Sequence, residues 1–390
     1  MYRIPATPRH DWRETAKALG FHFHTIDGEP YWDESAYYAF TLTQIEQHIE
    51  GATEQLEQLC LEAVSQIIGD ERQLRRLRIP EAYWPLLECS WKEGESALYG
   101  RFDLHYDGIG PPVMLEYNAD TPTSVYETGY FQWLWLEQAA ERGLIPAQAD
   151  QFNALQELLI ERFMLLSQQA QGRPLYFSCC KGSEEDKGTV TYLRDCAIQA
   201  GWDTQFIFIE DIGLSTDQRC YTDLDDLPMD WGFQLYPWEF MFDDPYAPSL
   251  LTTTTHWLEP PWKAILSNKG ILPILWELFP NHPNLLPAYF EHEVEVRSPL
   301  THYVRKPLFS REGANVEIYR FGQAIEKSPG LYGQEGYVLQ QYRPMPKFGD
   351  NYTVIGSWLA NGEPAGIGIR EDATRVTRDS SRFLPHIIMP

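Results

Sequence analysis

The chain has 390 residues, 43% of them hydrophobic and 14% aromatic, which is enough to bury a substantial core and excludes a disordered protein. Its formal net charge of −25 at pH 7 opposes nucleic-acid binding, because that affinity depends on Lys and Arg neutralising phosphates. The same charge either attracts cations such as polyamines and basic peptides or serves solubility alone.

The sequence lacks the signals of export and of membrane insertion. Residues 1–17 contain no apolar stretch of the kind found in signal peptides, and no uninterrupted apolar run approaches the roughly 18 residues of a membrane span. The six cysteines do not have the spacing of a zinc site or a CxxC motif. We therefore expect a cytoplasmic protein that does not enter a membrane.

The first predicted elements are helices. From Asp33 to about Gly69, apolar residues such as Phe40, Ile45 and Leu56 recur at steps of three and four, which predicts an amphipathic helix. A second helix of mixed charge is predicted near residues 70–76. We expect both helices to act as scaffold.

The next segment, Leu98–Ser124, predicts two strands joined by a turn. Alternation along the first strand places Arg101 and Asp103 on one face, and Glu116 and Asn118 repeat that spacing on the second. Asp-Gly and Gly-Pro-Pro sequences lie between the two runs and favour a turn. An antiparallel hairpin would bring both pairs onto one surface.

This hairpin surface has a chemical interpretation and a structural one. Carboxylate and amide oxygens suit Mg²⁺, which takes one or two carboxylates and completes its shell with water and substrate phosphates. A neighbouring arginine suits a phosphate or developing negative charge. Together they predict phosphoryl chemistry, and the alternative is an exposed hairpin edge with solvated charges.

The middle of the chain predicts strand–helix–strand units, the pattern of an α/β fold. The predicted elements are helices at residues 126–143 and about 147–169, a strand at 174–180, a helix at 189–200 and a strand at 204–209. The acidic segment 181–186 follows the first strand, at the edge where such sheets tend to bind ligands. It either receives an amine or caps the helix that follows.

The last third predicts a phosphate-binding loop between strands. Residues 233–241 predict a further strand, and residues 268–279 a helix. The strand His302–Leu308 carries Lys306 and precedes SREGAN, where Gly313 would let backbone N–H groups approach phosphates. This is not a Walker A motif, which requires GxxxxGK[ST] before a helix. Further strands are predicted at 337–342, 351–359 and 362–370.

Five segments together carry a family likeness: LYGRFDL, LEYNADTPTS, SNKGILP, RKPLFSREGANV and GIGIRED. They resemble the synthetase domain of glutathionylspermidine synthetase, and more closely its stand-alone acid–amine ligase relatives, over nearly the whole chain. The resemblance implies a mixed α/β, glutathione-synthetase-like ATP-grasp fold, permuted so that metal ligands precede the nucleotide lysines. It implies one catalytic unit over residues 1–390. Its approximate lobes are a helical scaffold with the metal-site hairpin (1–170), an α/β substrate lobe (171–265) and a nucleotide-binding lobe with a mobile loop (266–390).

The family joins a carboxylic acid to an amine at the expense of ATP. The resemblance therefore implies ATP and Mg²⁺, a small-molecule or peptide acid, and an amine. It assigns the metal to Asp103, Glu116 and Asn118, and stabilisation of the transferring phosphoryl group to Arg101. The positions matching nucleotide contacts are Arg101, Asp103, Lys269, Lys306, Glu312, Gly313, Gln340, Gln341, Tyr342, Arg343, Arg375, Val376 and Thr377. Those matching substrate contacts are Thr121 and Thr123 for the acid, Glu185 and Asp186 for amine and peptide groups, and Arg370.

Two departures from the family pattern concern its substrates. Arg382 stands where the family has an acidic residue for spermidine, and LYPWEF replaces a threonine-bearing strand used for glutathione. Both argue against these two molecules as substrates. A homodimer is implied by the resemblance alone. We favour an ATP-dependent carboxylate–amine ligase; the alternatives are a non-catalytic ATP- or peptide-binding protein, and an ATPase or phosphotransferase on the same fold.

Overall fold

The computed structural model describes residues 1–26, 28–294, 300–378 and 380–389. Its helices are α1 (Trp12–Ala18), α2 (Gly51–Ile67), α3 (Glu71–Arg76), α4 (Trp84–Lys92), α5 (Gln132–Glu141), α6 (Leu155–Ala170), α7 (Glu184–Gln199), α8 (Trp238–Met241) and α9 (Ile271–Leu278). Two π-helical segments, Gln44–Glu50 and Glu127–Phe131, lead into α2 and α5.

The first twelve strands in chain order are β1 (Tyr2–Pro5), β2 (Thr25–Ile26), β3 (Glu29–Pro30), β4 (Ala36–Phe40), β5 (Tyr99–His105), β6 (Val113–Asn118), β7 (Leu175–Cys179), β8 (Thr204–Phe208), β9 (Gly213–Leu214), β10 (Tyr221–Thr222), β11 (Trp231–Leu235) and β12 (His256–Leu258). The later strands are β13 (Ala288–Phe290), β14 (His302–Pro307), β15 (Glu317–Arg320), β16 (Gln323–Lys327), β17 (Tyr337–Gln341), β18 (Lys347–Phe348), β19 (Asn351–Ala360), β20 (Glu363–Asp372), β21 (Arg382–Leu384) and β22 (His386–Ile388).

The central sheet combines strands from distant parts of the sequence. Its order is β21-β20-β19-β5-β6, with β18 paired to β19, so the predicted hairpin β5–β6 lies beside the C-terminal hairpin β19–β20. Helix α2 packs against this sheet, and its Thr53 Oγ1 lies 2.6 Å from Ser357 Oγ on β19. The sheet therefore forms a platform whose polar residues come from both ends of the chain.

Two further sheets flank the platform. The strands β12-β11-β7-β8 are parallel, and α6 and α7 contribute to the apolar cluster on this sheet, which is the predicted α/β unit. The strands β13-β17-β14-β15-β16 form an antiparallel sheet that carries Lys306 near the end of β14. A small sheet, β1-β4-β22, joins the two chain ends.

Four predicted boundaries are wrong. Residues 36–40 form β4 rather than helix, and Leu42 is exposed. Helix α6 begins at Leu155, because residues 150 and 153 form β-bridges instead. Helix α7 begins at Glu184 rather than 189. The run 233–241 is a strand only to Leu235, after which Pro237 opens α8.

The start of β5 is fixed by a buried ion pair. Glu259 Oε1 accepts hydrogen bonds from the backbone N–H groups of Leu98 and Tyr99, each at 3.0 Å, and Glu259 Oε2 lies 2.8 Å from Lys263 Nζ. Removing one partner of such a pair would leave an uncompensated buried charge. The pair therefore anchors the hairpin at the end where the first polar residues lie.

Among the described residues, no helix is long and apolar enough to cross a membrane.

The proposed division into three lobes stays a prediction, since the central sheet takes strands from both the first and the last of them.

Candidate active site

The hairpin brings its two polar pairs together as predicted. Strands β5 and β6 pair antiparallel, with Arg101 opposite Asn118 and Asp103 opposite Glu116. Arg101 is 6% exposed; its Nε donates to Asp103 Oδ1 at 2.8 Å and its Nη1 to the carbonyl oxygen of Thr123 at 2.7 Å. The alternative of an exposed hairpin edge does not hold for Arg101 and Asp103, which are 6% and 4% exposed and hydrogen-bonded, whereas Glu116 lies on the edge strand β6 with its side chain 27% exposed.

A glycine on the neighbouring strand makes room for Arg101. A Cβ atom on Gly356 of β19 would lie 2.9 Å from Arg101 Cδ, so a larger residue there would displace the guanidinium. The guanidinium carbon of Arg101 lies over the Trp358 ring, 5.6 Å from the ring centroid. Strand β19 therefore provides a surface that orients Arg101.

Asp103 lies between two guanidinium groups. Besides Arg101, Arg370 on β20 donates from Nη2 to Asp103 Oδ2 at 2.6 Å. Arg370, which the resemblance assigns to substrate, thus lies beside a residue that it assigns to the metal. Two cations around one carboxylate suit a site that receives several negative charges.

Glu116 faces two lysines from other elements. Its Oε2 lies 3.2 Å from Lys269 Nζ, while Lys306 Nζ donates to the carbonyl oxygen of Leu115 and to Gln340 Oε1, both at 2.8 Å. Burial would raise the pKa of Glu116, but the two lysines outweigh it and hold that pKa well below its ordinary value. Burial lowers the pKa of Lys306 to about 8, although Glu116 opposes the shift.

The oxygen donors of the hairpin fit a magnesium ion. They are two carboxylates, Asp103 and Glu116, with the amide of Asn118, whose buried Nδ2 has no hydrogen-bond partner within the described ranges. Across those ranges no group of three His, Cys, Asp or Glu side chains is placed to hold a metal. Two carboxylates and an amide oxygen are donors that Mg²⁺ accepts when water and substrate phosphates complete its shell.

One cavity, which we call the lysine cavity, gathers most of the positions matched to nucleotide contacts. Its predicted members are Asp103, Glu116, Lys269, Lys306, Gly313, Gln340, Gln341, Tyr342, Arg343, Arg375, Val376 and Thr377. An apolar wall that the sequence analysis missed adds Leu115, Val304, Val316, Ile318, Met345 and Val354. Such a combination of an apolar wall and a charged end suits a nucleotide, whose base is flat and whose phosphates are anionic.

A second cavity, which we call the acidic cavity, gathers the positions matched to substrate. Its predicted members are Arg101, Glu116, Asn118, Thr121, Thr123, Glu185, Asp186, Lys269, Glu312, Gly313, Arg370 and Thr377. Four of these, Glu116, Lys269, Gly313 and Thr377, also line the lysine cavity. The two cavities therefore meet at the same side chains, next to Arg101.

Arg311 is a site residue that the sequence analysis missed. It follows β14 and reaches across the acidic cavity, where Nη2 lies 2.7 Å from Glu239 Oε1 and Nη1 donates to Thr121 Oγ1 at 2.7 Å. Glu239, the lone charge in LYPWEF, has a side chain that is 13% exposed, and that of Arg311 is 27% exposed, so the pair is only partly solvated. The isolated charge of Glu239 within an aromatic run was the sequence signal that could have indicated this ion pair.

The acidic segment proves to be the first turn of α7. Ser183 is the N-cap and accepts from the backbone N–H of Asp186 at 3.1 Å, so the acidic residues do not themselves cap the helix. Burial, followed by the charge of Glu127, raises the pKa of Glu185 to about 8. Burial also raises the pKa of Asp186.

Arg382 lies on neither cavity. Its guanidinium bonds Asp33 Oδ2 at 2.8 Å, Asn351 Oδ1 at 2.6 Å and Glu371 Oε2 at 3.1 Å. The carboxylates of Asp33 and Glu371 balance its charge, so the presence of Arg382 does not by itself argue against a cationic substrate.

Comparisons with known proteins identify relatives of this chain. A family model described as glutathionylspermidine synthase preATP-grasp matches residues 3–389. A Haemophilus influenzae protein described as "Putative acid–amine ligase" is 40% identical, with 100% of both chains covered. Trypanothione synthetase of Crithidia fasciculata is 28% identical, with 84% of this chain and 53% of the relative covered. The bifunctional glutathionylspermidine synthetase/amidase of Escherichia coli is 26% identical, with 92% of this chain and 60% of the relative covered. The chain thus spans little more than half the length of these last two relatives.

A solved structure supports the fold. The apo form of a glutathione synthetase-like effector from Globodera pallida superposes with a TM-score of 0.55 at 13% identity, covering 97% of this chain and 96% of the effector. The expected mixed α/β, glutathione-synthetase-like ATP-grasp architecture is therefore confirmed.

Proposed function

This chain belongs to the glutathionylspermidine synthase preATP-grasp family, and from that premise we propose that it is an ADP-forming acid–amine ligase that activates its acid as an acyl phosphate. The observation that carries the proposal is the junction of the two cavities at Glu116, Lys269, Gly313 and Thr377. A γ-phosphate entering from the lysine cavity would meet an acid held in the acidic cavity beside Arg101.

The first step is phosphoryl transfer. A carboxylate oxygen of the acid attacks the γ-phosphorus of ATP, the bond to the β-phosphate oxygen breaks, and ADP leaves. Arg101 and Lys306 stabilise the charge on the transferring group, and Asp103 orients Arg101 through the bond at 2.8 Å. Mg²⁺, held by Asp103, Glu116 and Asn118, would neutralise charge on the phosphates.

The second step is aminolysis. The amine nitrogen attacks the acyl carbon, and phosphate departs with the electrons of the broken carbon–oxygen bond. Thr121 and Thr123 hold the acid, and Glu185 and Asp186 receive the amine. The acidic cavity is lined by both cationic and anionic side chains, which supports binding of an acid and an amine in the same cavity.

The loop Ser310–Asn315 excludes water from the intermediate. Its Arg311 bonds Glu239 and Thr121 across the cavity, which holds the loop over the acid. If the loop opened, water would hydrolyse the acyl phosphate, and ATP would be consumed without formation of the amide.

Oxygen-18 transfer tests the acyl phosphate directly. The acid is labelled in its carboxylate, turned over with Mg-ATP and the amine, and the inorganic phosphate is analysed by mass spectrometry. One labelled oxygen per phosphate is expected, because the oxygen that attacks phosphorus leaves with it. Amide formed alongside unlabelled phosphate would contradict the intermediate. ATP binding without turnover would instead favour a binding protein, and ADP without amide an ATPase or phosphotransferase.

A further inference from the structure

A buried carboxyl group lies behind the acidic cavity, and neither proposed step uses it. Glu127, in the π-helical segment before α5, is 0% exposed, and neither of its carboxyl oxygens has a hydrogen-bond partner among the described residues. The Tyr31 hydroxyl pairs with Ser124 Oγ at 3.1 Å and also acts on Glu127 as a nearby donor, outside ordinary hydrogen-bond geometry. An unpaired buried carboxylate is costly, and where such a group persists it calls for a functional explanation.

The groups that face Glu127 come from three elements. They are Tyr31 from the loop before β4, Arg101 from β5 and Glu185 from the first turn of α7. Burial raises the pKa of Glu127 to about 7, against smaller opposing effects of Tyr31 and Arg101. Glu127 therefore gains and loses its proton near neutral pH.

Glu185 connects this buried group to the cavity, whose wall it lines. Burial and then the Glu127 charge raise the pKa of Glu185 to about 8; Thr123 opposes the shift, and Asp186 and Glu312 add to it. Two coupled carboxyls titrating near neutral pH behave as a pair that shares protons.

We propose that Glu185, backed by the buried Glu127, accepts the proton that the amine substrate must lose before it attacks the acyl carbon. This inference rests on the proposed function. The ammonium gives one proton to the Glu185 carboxylate, and the freed lone pair forms the carbon–nitrogen bond. The carbon–oxygen bond to phosphate breaks with its electrons on oxygen, and the second nitrogen proton goes to that phosphate.

The chemistry of the pair favours proton transfer over simple binding. A carboxylate that only holds an ammonium ion does so best when it stays ionised, which an ordinary low pKa ensures. A general base is most effective when its pKa lies near the working pH. The buried Glu127 raises the pKa of Glu185, which weakens simple binding of an ammonium ion and favours acceptance of its proton. Glu185 is therefore the catalytic residue, and Glu127 is a positioning residue that acts through it.

Infrared difference titration tests the pair without any substrate. In the wild-type protein we expect a protonated carboxyl band that disappears as the pH rises through about 7 to 8. Glu127→Gln should move the remaining Glu185 titration to lower pH, because it removes the negative charge that raises the pKa of Glu185. No carboxyl titrating in this range, or bands unchanged in both Glu127→Gln and Glu185→Gln, would overturn the inference.

A comparison of two acceptors tests the catalytic role. Hydroxylamine is uncharged at neutral pH and traps acyl phosphates as hydroxamates, so it does not need a protein base. With the acid that supports turnover, Glu185→Gln should lower the ratio of amide to hydroxamate by about 10²-fold or more. Glu127→Gln should shift the acid limb of the pH profile of kcat to lower pH by about one unit.

Glu184→Gln is the matched control, since Glu184 lies in the same turn but outside the acidic cavity and should keep the wild-type ratio. An equal loss of amide and hydroxamate in Glu185→Gln would overturn the base assignment. If the wild-type protein forms neither product nor ADP, the proposed function fails, and the infrared titration still decides whether the carboxyl pair exists.

Discussion

Replacing Arg101 by Met separates its catalytic contribution from its structural one. Met retains much of the apolar stem over Trp358 and removes the charge. Asp103 would lose the bond from Arg101 but keep the one from Arg370 at 2.6 Å, so no buried carboxylate becomes unpaired. We therefore expect a loss of stability of about 1.5–3 kcal/mol, the usual value of a hydrogen bond to a charged group.

The expected loss of turnover is larger than that loss of stability. Removing one donor that stabilises transition-state charge lowers kcat by about 10²–10³-fold, or about 2.7–4 kcal/mol. Steady-state ADP release measures turnover, and chemical denaturation measures stability. Arg76→Met is a matched control, because Arg76 forms a half-buried pair with Glu277 away from both cavities. A folded Arg101→Met protein with turnover within about threefold of wild type would refute this role for Arg101.

Three further substitutions test other parts of the account. Lys306→Met should raise the Kd for Mg-ATP about tenfold or more, since a charged contact is lost; an unchanged Kd by calorimetry would remove Lys306 from the nucleotide site. Arg311→Met should speed proteolysis within residues 310–315 relative to an Arg320→Met control, because the bond to Glu239 no longer holds the loop; equal rates would show that this bond is not what holds it. The pKa of Glu127 is about 7 in the folded protein and about 4.3 in the unfolded chain. The contribution of Glu127 to the free energy of unfolding is therefore complete at low pH and is lost as pH rises through about 7. Glu127→Gln should remove that loss, and an identical decline in both proteins under denaturant titration across this pH range would contradict it.

The hairpin β5–β6 could be predicted because its signals are local. Alternating polar residues and the Asp-Gly turn specify one face and one antiparallel register, and Arg101 lies opposite Asn118 as expected. The positions matched to nucleotide contacts were found as short motifs, and the fold brings most of them into one cavity. Whether each binds ATP stays a prediction.

The remaining features depend on contacts that are distant in sequence. The run Ala36–Phe40 is buried throughout, and its apolar residues fit a helix as well as a strand until pairing with β1 and β22 decides. Arg311 meets Glu239 across 72 positions, and no local pattern links them. Glu127 resembles an ordinary helical glutamate in the sequence, and only the packing of Tyr31 and the neighbouring helices shows that it is buried.

The most direct test of the central claim is ADP release with Mg-ATP across a panel of peptide and small acids crossed with amines, with glutathione and spermidine included and every mixture analysed by mass spectrometry. The account predicts ADP only when an acid and an amine are both present, in equal amount to a product lighter by one water than their sum. ATP binding with no ADP from any mixture, or ADP released without an amide, would contradict it.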